Sequence, residues 1–317
     1  MSTAPHPPVV TVVVPVHNEE PVLPELLVRL RQIFDADARI AWRAVFVDDG
    51  SRDRSVALIT EAARLDARIL LVRLSRNFGH QSALAAGLCE ADGSDAAVTM
   101  DADLQDPPEL IGEMIEHWLR GAEVVRAVRR SRQEKGLRRL GFDLFHRFFN
   151  QLADFPIEAD TGTFGLLDRC AVAAINRLPE RHRFFPGLRS WVGFTTAEIH
   201  YDRQERAAGQ PAQTLRRLVR YAFDGIFSFS YLPLRLLTLV GIFISACGFA
   251  LGTFFIVRRL LGVEIAQTGF TTLVTLLLFL GGGQLIGIGI LGEYLARVYD
   301  EVKQRPQFIR RESPRDR

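Results

Sequence analysis

The stretch AAVTMDADLQDPPE, residues 96–109, places a short apolar run directly before a cluster of polar side chains. Asp101, Asp103 and Gln105 are two residues apart, so a chain that continues in extended form points all three the same way. Two carboxylates and an amide oxygen suit a hard divalent cation, Mg²⁺ or Mn²⁺. An Asp-x-Asp pair alone is a weak signal because acidic pairs are common in turns. At the end of a buried strand the pair predicts a metal site.

Short apolar runs and amphipathic stretches alternate through the first 130 residues, which predicts an α/β domain. Five valine-rich runs are the predicted strands: residues 9–14, 44–47, 69–74, 96–100 and 123–128. Helical spacing predicts four helices: residues 24–34, 53–64, 81–90 and 108–119. Ser51 is a candidate N-cap of the second helix. Such alternation forms a mostly parallel sheet, and ligands bind beyond the carboxyl ends of its strands.

Polar residues also follow two other predicted strands. Asp48 and Asp49 follow the second strand, and the segment PVHNEE, residues 15–20, ends the first. Glu19, Asp49 and Asp101 therefore belong to strand ends that meet at one edge of the sheet. Concentrated carboxylate suits a metal-bound diphosphate and the polar groups of a nucleoside. The chain has neither a Walker lysine loop nor a G-x-G-x-x-G turn, which disfavours ATPases and nicotinamide enzymes.

The C-terminal third is strongly apolar. Residues 236–257 and 270–291 are two runs of 22 residues without a charge, each long enough to cross a bilayer core of roughly 30 Å. Arginines and lysines flank the pair on both outer sides, so the positive-inside rule places both chain ends in the cytoplasm. The predicted organisation is a flexible tail (1–8), a cytosolic domain (9–212), an interfacial amphipathic helix (213–232), a transmembrane hairpin (233–296) and a cytoplasmic tail (297–317).

The composition alone conceals this division. The 317 residues are 48% hydrophobic and 24% charged, with a formal net charge of +2. These values exclude a disordered chain, and the near-zero charge gives no reason to expect a nucleic-acid partner. Three cysteines far apart in the sequence form neither a disulfide framework nor a zinc site.

Several ordered motifs carry a resemblance to a known family. VTVVVPVHNEE, VFVDDGSRDRS, LSRNFGHQSALAAG and MDADLQDPPE occur in this order, followed by DTGTFGLLDR, RFFPGLRSWVGF and the closing GEYLARVYDEVKQRPQFIRRE. Together they resemble family 2 glycosyltransferases with the Rossmann-like GT-A fold. More narrowly, they resemble dolichol-phosphate mannose synthases and bacterial undecaprenyl-phosphate glucosyltransferases with a two-helix membrane tail. The resemblance runs from about residue 9 to residue 312.

The resemblance implies roles for the matched positions. The donor nucleotide sugar would bind Pro15, His17, Glu19, Asp48, Asp49 and Asp101. The metal ion would bind Asp101, Asp103 and Gln105. The acceptor phosphate would bind Arg129, Arg132, Lys135 and Arg138, although a basic loop can also be a plain solvated surface. Asp160 matches an acidic position near the acceptor, so the resemblance implies Asp160, Asp103 and Arg129 as the catalytic residues.

The resemblance also implies a reaction. A sugar would pass from a nucleotide sugar to a polyprenyl phosphate with inversion, for use in cell-envelope glycan modification. UDP-glucose and undecaprenyl phosphate are the first expectation, and GDP-mannose or another UDP-sugar is the alternative. A processive polysaccharide synthase is a weaker alternative because its Q-x-x-R-W motif is missing. A catalytically weak scaffold in a membrane glycan-assembly complex is the alternative outside enzymes.

The sequence departs from the family pattern at two places. Gly165 and Pro211-Ala212 stand where relatives commonly carry cations, so weaker anion binding is expected.

The expected location is the bacterial inner membrane, as a multi-pass protein with a cytoplasmic catalytic domain. The resemblance implies a homo-oligomer, a tetramer, and glycines four apart in both apolar runs would allow close helix packing.

Overall fold

The computed structural model describes residues 6–129, 161–181, 183–202, 232–261 and 269–311. These residues form seven strands: β1 (Val9–Val16), β2 (Ala41–Asp48), β3 (Ile69–Arg73), β4 (Ala96–Thr99), β5 (Val124–Arg129), β6 (Thr161–Asp168) and β7 (Thr196–Tyr201). The same described residues form six shorter helices: α1 (Leu23–Ala36), α2 (Ser55–Leu65), α3 (His80–Glu90), α4 (Leu110–Leu119), α5 (Arg169–Arg177) and α6 (Phe185–Trp191). Two long helices follow within the described part of the chain: α7 (Leu232–Leu260) and α8 (Phe270–Val302).

The strands form one sheet in the order β3-β2-β1-β4-β6-β5-β7. Strands β1 to β4 pair in parallel, β6 runs antiparallel between β4 and β5, and β7 pairs in parallel with β5. The predicted α/β architecture with a mostly parallel sheet is therefore confirmed. The five predicted strands and four predicted helices are all present, with ends that differ by up to three residues.

Sequence periodicity missed β6 and β7 for identifiable reasons. Strand β6 contains two glycines, which weaken a strand signal, and β7 is a sheet edge that carries charged and polar residues. The prediction that Ser51 caps the second helix is wrong. Helix α2 begins at Ser55, and the carboxylate of Asp53 accepts the Ser55 backbone N–H at 3.0 Å. Ser51 instead donates its backbone N–H to Asp48 at 2.9 Å.

Helices cover both faces of the sheet, because the central strands are apolar on both sides. Buried residues of α1, α2 and α4 pack with one face, and those of α3, α5 and α6 pack with the other. Helix α3 lies so close to β1 that a Cβ atom on Gly87 would come within 2.2 Å of the Val13 side chain. This close packing positions the beginning of α3 beside the carboxyl ends of the central strands.

Helices α7 and α8 expose large apolar side chains along much of their length, including Phe249, Ile286 and Leu295. They meet where Leu237 packs within 3.2 Å of the Cβ position of Gly287. By length and composition, one segment of the described residues, Phe279–Val302, could cross a membrane, and the apolar part of α7 is shorter. The two-span hairpin therefore stays a prediction. The predicted interfacial helix, except for Leu232, lies outside the described residues.

Candidate active site

The carboxyl ends of β2, β1 and β4 lie side by side, because these three strands are adjacent and parallel. The sequence therefore delivers His17, Asp49 and Asp101 to one edge of the sheet. Strand β6 enters at the same edge from the opposite direction and brings Thr163 beside β4. This edge is the candidate active site.

Asp101 lies at its centre. Its Oδ1 atom accepts hydrogen bonds from His80 Nε2 and from the Thr163 hydroxyl, each at 2.9 Å. Burial alone would raise the pKa of Asp101, but the hydrogen bond and charge of His80 lower it below its ordinary value. Burial would lower the pKa of His80, and the bond to Asp101 raises it instead. Since both bonds use Oδ1, the described residues leave Oδ2 available to a cation.

Asp103 and Gln105 follow, but not in the extended form expected from the sequence. The backbone turns through Leu104, whose φ of 59° lies in the left-handed region. Asp101, Asp103 and Gln105 are nevertheless all half-buried and alternate with three buried residues. The turn is supported by a hydrogen bond from the Gln105 backbone N–H to Asp103 at 3.2 Å.

The polar residues after β4 fit a cation that is also coordinated by water and by substrate phosphates. No cluster of three or more Asp, Glu, His or Cys side chains that could hold a metal occurs within residues 6–129, 161–181, 183–202, 232–261 and 269–311. Asp101 and Asp103 would supply two carboxylates, and Gln105 would add one amide oxygen. Mg²⁺ is commonly held by one or two carboxylates, several waters and substrate phosphates, so the donor set suits it.

Asp48 and Asp49 are both buried and hold the surrounding loops. Asp49 accepts the backbone N–H groups of Phe78 at 2.6 Å and Gly79 at 2.9 Å. Burial raises the pKa of Asp49, and these two hydrogen bonds oppose the rise. Asp48 accepts the Ser51 backbone N–H at 2.9 Å. The two carboxylates therefore shape the predicted nucleoside site by positioning its loops.

The end of β1 forms the exposed part of the same edge. Pro15 is buried in the strand opposite Val47, whereas His17 is exposed. A His17 ring nitrogen lies 2.9 Å from the Asp49 carbonyl oxygen, and the Asn77 amide lies 3.2 Å from the same ring atom. Glu19 is half-buried, and its carbonyl oxygen accepts two backbone N–H groups at the start of α1.

Arg129, the last residue of β5, is held by two buried groups. Its Nε donates to the Tyr201 hydroxyl at 3.1 Å, and its Nη2 lies 3.5 Å from Asp106. The Tyr201 hydroxyl also donates to Asp106, which is 0% exposed. Burial and the neighbouring Asp106 raise the pKa of Tyr201, so the phenol remains protonated. The arrangement orients the guanidinium beside Gly162, whose Cβ position lies 2.8 Å from Nη2.

The Val125 carbonyl oxygen and the buried Arg189 side chain together crowd position 165, which is a glycine. Its side chain is 3% exposed, and it donates to the carbonyl oxygens of Gly162 at 3.2 Å and Phe164 at 3.5 Å. A Cβ atom on Gly165 would lie 3.0 Å from Arg189 Nη1 and only 2.5 Å from the Val125 carbonyl oxygen. The guanidinium of Arg189 therefore occupies space beside β6 that a larger residue at 165 would need.

Some predicted site residues lie outside the described residues: Arg132, Lys135, Arg138 and Asp160. Sequence reasoning also missed residues that the fold brings to the site: His80, Asp106, Thr163, Arg189 and Tyr201. All of these except Tyr201 lie within the motifs that carry the family resemblance, and they could have been found there. Tyr201 gave no signal, because it lies outside those motifs and its contacts with Asp106 and Arg129 join segments 95 and 72 residues apart.

The chain matches known proteins along most of its length. The family model for glycosyl transferase family 2 matches residues 11–178. An uncharacterized glycosyltransferase of Synechocystis sp. is 41% identical over 301 residues, covering 94% of this chain and 93% of the relative. The SfII prophage-derived bactoprenol glucosyl transferase of Shigella flexneri is 40% identical over 307 residues, covering 96% of this chain and 98% of the relative.

Among solved structures, glucosyl-3-phosphoglycerate synthase from Mycobacterium tuberculosis is similar with a TM-score of 0.48 and 17% identity, over 69% of this chain and 78% of that chain. The family model covers more than half of the chain, and the sequence relatives cover nearly all of it. The chain belongs to glycosyltransferase family 2 and is a glycosyltransferase.

Proposed function

We propose that this glycosyltransferase transfers a hexose from a nucleotide sugar to a polyprenyl phosphate at a bacterial membrane. UDP-glucose is the proposed donor and undecaprenyl phosphate the proposed acceptor. The product is a lipid-phosphate-linked sugar for modification of a cell-envelope glycan. The relative of Shigella flexneri, named a bactoprenol glucosyl transferase, supports this choice because the similarity covers 96% of the present chain.

One observation carries the proposal: the half-buried acids after β4 lie beside a half-exposed imidazole at the edge where three parallel strands end. Asp101 and Asp103, with Gln105, would hold a Mg²⁺ or Mn²⁺ ion. When bound, the cation neutralises charge on the leaving diphosphate. His80 holds Asp101 through Oδ1 and keeps the carboxylate ionised, as its lowered pKa indicates.

The nucleoside would bind at the neighbouring ends of β1 and β2. His17 is exposed there, and Asp49 holds residues 78–79 through their backbone N–H groups. A carboxylate that accepts backbone N–H groups keeps the loop in one conformation. The loop then loses less conformational entropy when the nucleoside binds. In this proposal Pro15, Glu19 and Asp48 contribute the shape of the pocket.

Arg129 is the proposed phosphate-facing cation. Asp106 and Tyr201 hold its guanidinium in place, and a preorganised charge stabilises a developing anion without reorganisation. Arg132, Lys135 and Arg138 are proposed to bind the acceptor phosphate. A phosphate monoester has its second pKa near 6, so the acceptor is largely dianionic at neutral pH and attacks C1 without losing a proton. Asp160 is therefore proposed to position the acceptor, and a single in-line displacement inverts C1.

We further propose that α7 and α8 form the membrane anchor, with the catalytic domain and both termini in the cytoplasm. The apolar side chains exposed along these helices support an apolar environment around them. A homo-oligomer is part of the proposal, with four copies expected from the resemblance. Light scattering of the detergent-solubilised chain tests this part independently of activity.

The test of the reaction uses the full chain, purified in detergent. Undecaprenyl phosphate is incubated with Mg²⁺ or Mn²⁺ and with radiolabelled UDP-glucose, UDP-galactose, UDP-N-acetylglucosamine or GDP-mannose in parallel. The expected result is an organic-soluble labelled lipid from UDP-glucose, with the opposite anomeric configuration to the donor by NMR. If none of the four donors labels the lipid, the proposed transfer to a polyprenyl phosphate is wrong.

Two variants test the metal assignment. Asp103→Ala should lower turnover by about 100-fold or more, because it removes one of two carboxylate ligands, and it should weaken Mn²⁺ binding measured by electron paramagnetic resonance. Asp92→Ala is the matched control, since Asp92 is an exposed acid that follows α3. Unchanged turnover and Mn²⁺ binding in Asp103→Ala would remove the metal role while leaving the reaction intact.

A further inference from the structure

The segment of residues 305–311, here named the C-terminal strap, returns from α8 to the catalytic domain. It runs antiparallel to the end of β3, with Leu74 and Arg310 paired as a β-bridge. The Ile309 carbonyl oxygen accepts the Ser75 backbone N–H at 2.8 Å, and the Arg311 backbone N–H donates to Arg73 at 2.7 Å. These backbone hydrogen bonds attach the strap to the chain at the point where β3 ends.

Side chains anchor the strap as well. Arg310 forms an ion pair with Glu90, the last residue of α3. Phe308 packs against a buried cluster that lies between β2 and α3, and Arg310 stacks over its ring at 5.7 Å. Gln307 donates to the Glu180 carbonyl oxygen at 2.6 Å. Residues 307–310 of the strap therefore make a hydrogen bond, an ion pair and an apolar contact with the catalytic domain.

The end of α8 is attached to the same domain just before the strap begins. The Glu301 carboxylate accepts the Arg181 backbone N–H at 2.8 Å, and the Asp300 carbonyl oxygen accepts the Arg181 guanidinium at 3.1 Å. The proposed membrane helix and the catalytic domain are thus joined by a short, hydrogen-bonded connection. If α8 moves relative to the domain, it must either break these hydrogen bonds or move Arg181 with it.

The strap contacts lead directly to the candidate site. Residues 77–80, here named the site loop, follow Leu74 and Ser75 without an intervening element. The site loop holds three of the predicted donor-site residues: Asn77 contacts His17, Phe78 and Gly79 donate to Asp49, and His80 binds Asp101. Helix α3 therefore has the site at its first residue and the strap at its last, Glu90.

We propose that the C-terminal strap positions the site loop for donor binding, with Phe308 and Arg310 as the positioning residues. The strap fixes both ends of the segment that runs from Leu74 to Glu90, and this segment arranges the nucleoside-site and metal-site carboxylates. Donor affinity then depends on attachment of the strap. This inference rests on the proposed nucleotide-sugar donor.

The experiment uses full-length chain in detergent and a chain shortened to end at Gln304. Three further variants are Arg310→Glu, Glu90→Arg and the double variant that exchanges the two charges. Arg305→Glu is the matched control, because it makes the same charge change at an exposed position of the same strap. Circular dichroism and thermal unfolding establish that each variant is folded.

Three readouts are measured on every variant. Hydrogen exchange reports the protection of the Phe78 and Gly79 backbone N–H groups, which bind Asp49 in the intact structure. Calorimetric titration with UDP and with GDP, in the presence of Mg²⁺, reports nucleotide affinity. In the transferase assay, the donor KM should change and kcat should change little.

Faster exchange of both amides and roughly 5- to 50-fold weaker nucleotide binding in the shortened chain would support the proposal, a range typical of coupled sites. Arg310→Glu should show a smaller loss that the double variant recovers, while Arg305→Glu should resemble wild type. Unchanged exchange, or faster exchange with unchanged affinity, would overturn the proposal. If the wild-type chain binds neither nucleotide, the donor proposal fails, and amide exchange alone decides whether the strap orders the site loop.

Discussion

Gly165 offers a sharp test of how the site is packed. Strand β6 passes between β4 and β5, and the Cβ position of Gly165 lies 2.5 Å from the Val125 carbonyl oxygen and 3.0 Å from Arg189 Nη1. Real Cβ atoms do not come within 3.0 Å of other heavy atoms, so the first approach is about half an ångström too short. The atom in the way is backbone, which cannot rotate aside as a side chain can.

The size of the effect follows from two opposing terms. Forcing a methyl group into a close-packed site costs about 1–3 kcal/mol. Replacement of glycine by alanine also restricts the unfolded chain, which stabilises the folded state by about 0.4–1 kcal/mol. Taking the middle of each range, Gly165→Ala should lower the free energy of unfolding by about 1–2 kcal/mol. For a domain of this size the melting temperature should fall by roughly 2–8 °C.

Thermal unfolding of the full chain in detergent, followed by tryptophan fluorescence, measures the change. Gly112→Ala is the matched control, since Gly112 lies on the exposed side of α4 and its Cβ would meet nothing within 4 Å. That variant should gain about 0.5–1 kcal/mol from helix propensity. Gly165→Arg should destabilise the chain more than Gly165→Ala, because the larger side chain meets the same two obstacles. A Gly165→Ala protein that melts at or above wild type would refute the packing argument.

Three further results are expected. Tyr201→Phe keeps the aromatic ring but removes the hydroxyl that donates to buried Asp106, so unfolding free energy should fall by about 1–3 kcal/mol in thermal melts; an unchanged melting temperature would contradict this. In metal-free protein, NMR titration should place the pKa of His80 above 6.5, and Asp101→Asn should lower it. The stability that His80 gains from this pair is therefore greatest below pH 6.5 and is lost as the pH rises through its pKa; a pKa unaffected by the substitution would exclude the pair. Asp168→Ala removes both the N-cap of α5 and the acceptor of an indole N–H, and should cost about 2 kcal/mol in the same melts, whereas a loss below 0.5 kcal/mol would mean that neither bond contributes.

Local patterns were sufficient to predict the first half of the fold. The valine-rich runs and the helical spacing between them identified five strands and four helices, because burial on both faces leaves a continuous apolar signature. The acids at 101 and 103 stood out for the same reason: they follow directly after a buried run. The family resemblance rested partly on these stretches and partly on motifs farther along the chain, and the family match confirms it.

Other features depended on contacts between distant segments. Strand β6 carries Gly165 where the Val125 carbonyl oxygen comes close and Gly162 beside the Arg129 guanidinium, and neither close approach has a local signature. The position of the C-terminal strap on β3 joins residues more than 230 apart. Periodicity cannot report such pairs, because it records only which face of one element is apolar.

By itself, the sequence determined the α/β alternation, the family, and the carboxylates that end at one edge of the sheet. Each of these depends on residue type and short-range spacing, which are written along the chain. Only the tertiary structure decided that His80 and Thr163 hold Asp101, that Asp49 holds the site loop, and that Asp106 and Tyr201 orient Arg129. Those relations arise when packing brings distant segments within hydrogen-bond distance, and the position of each donor then determines which carboxylate it holds.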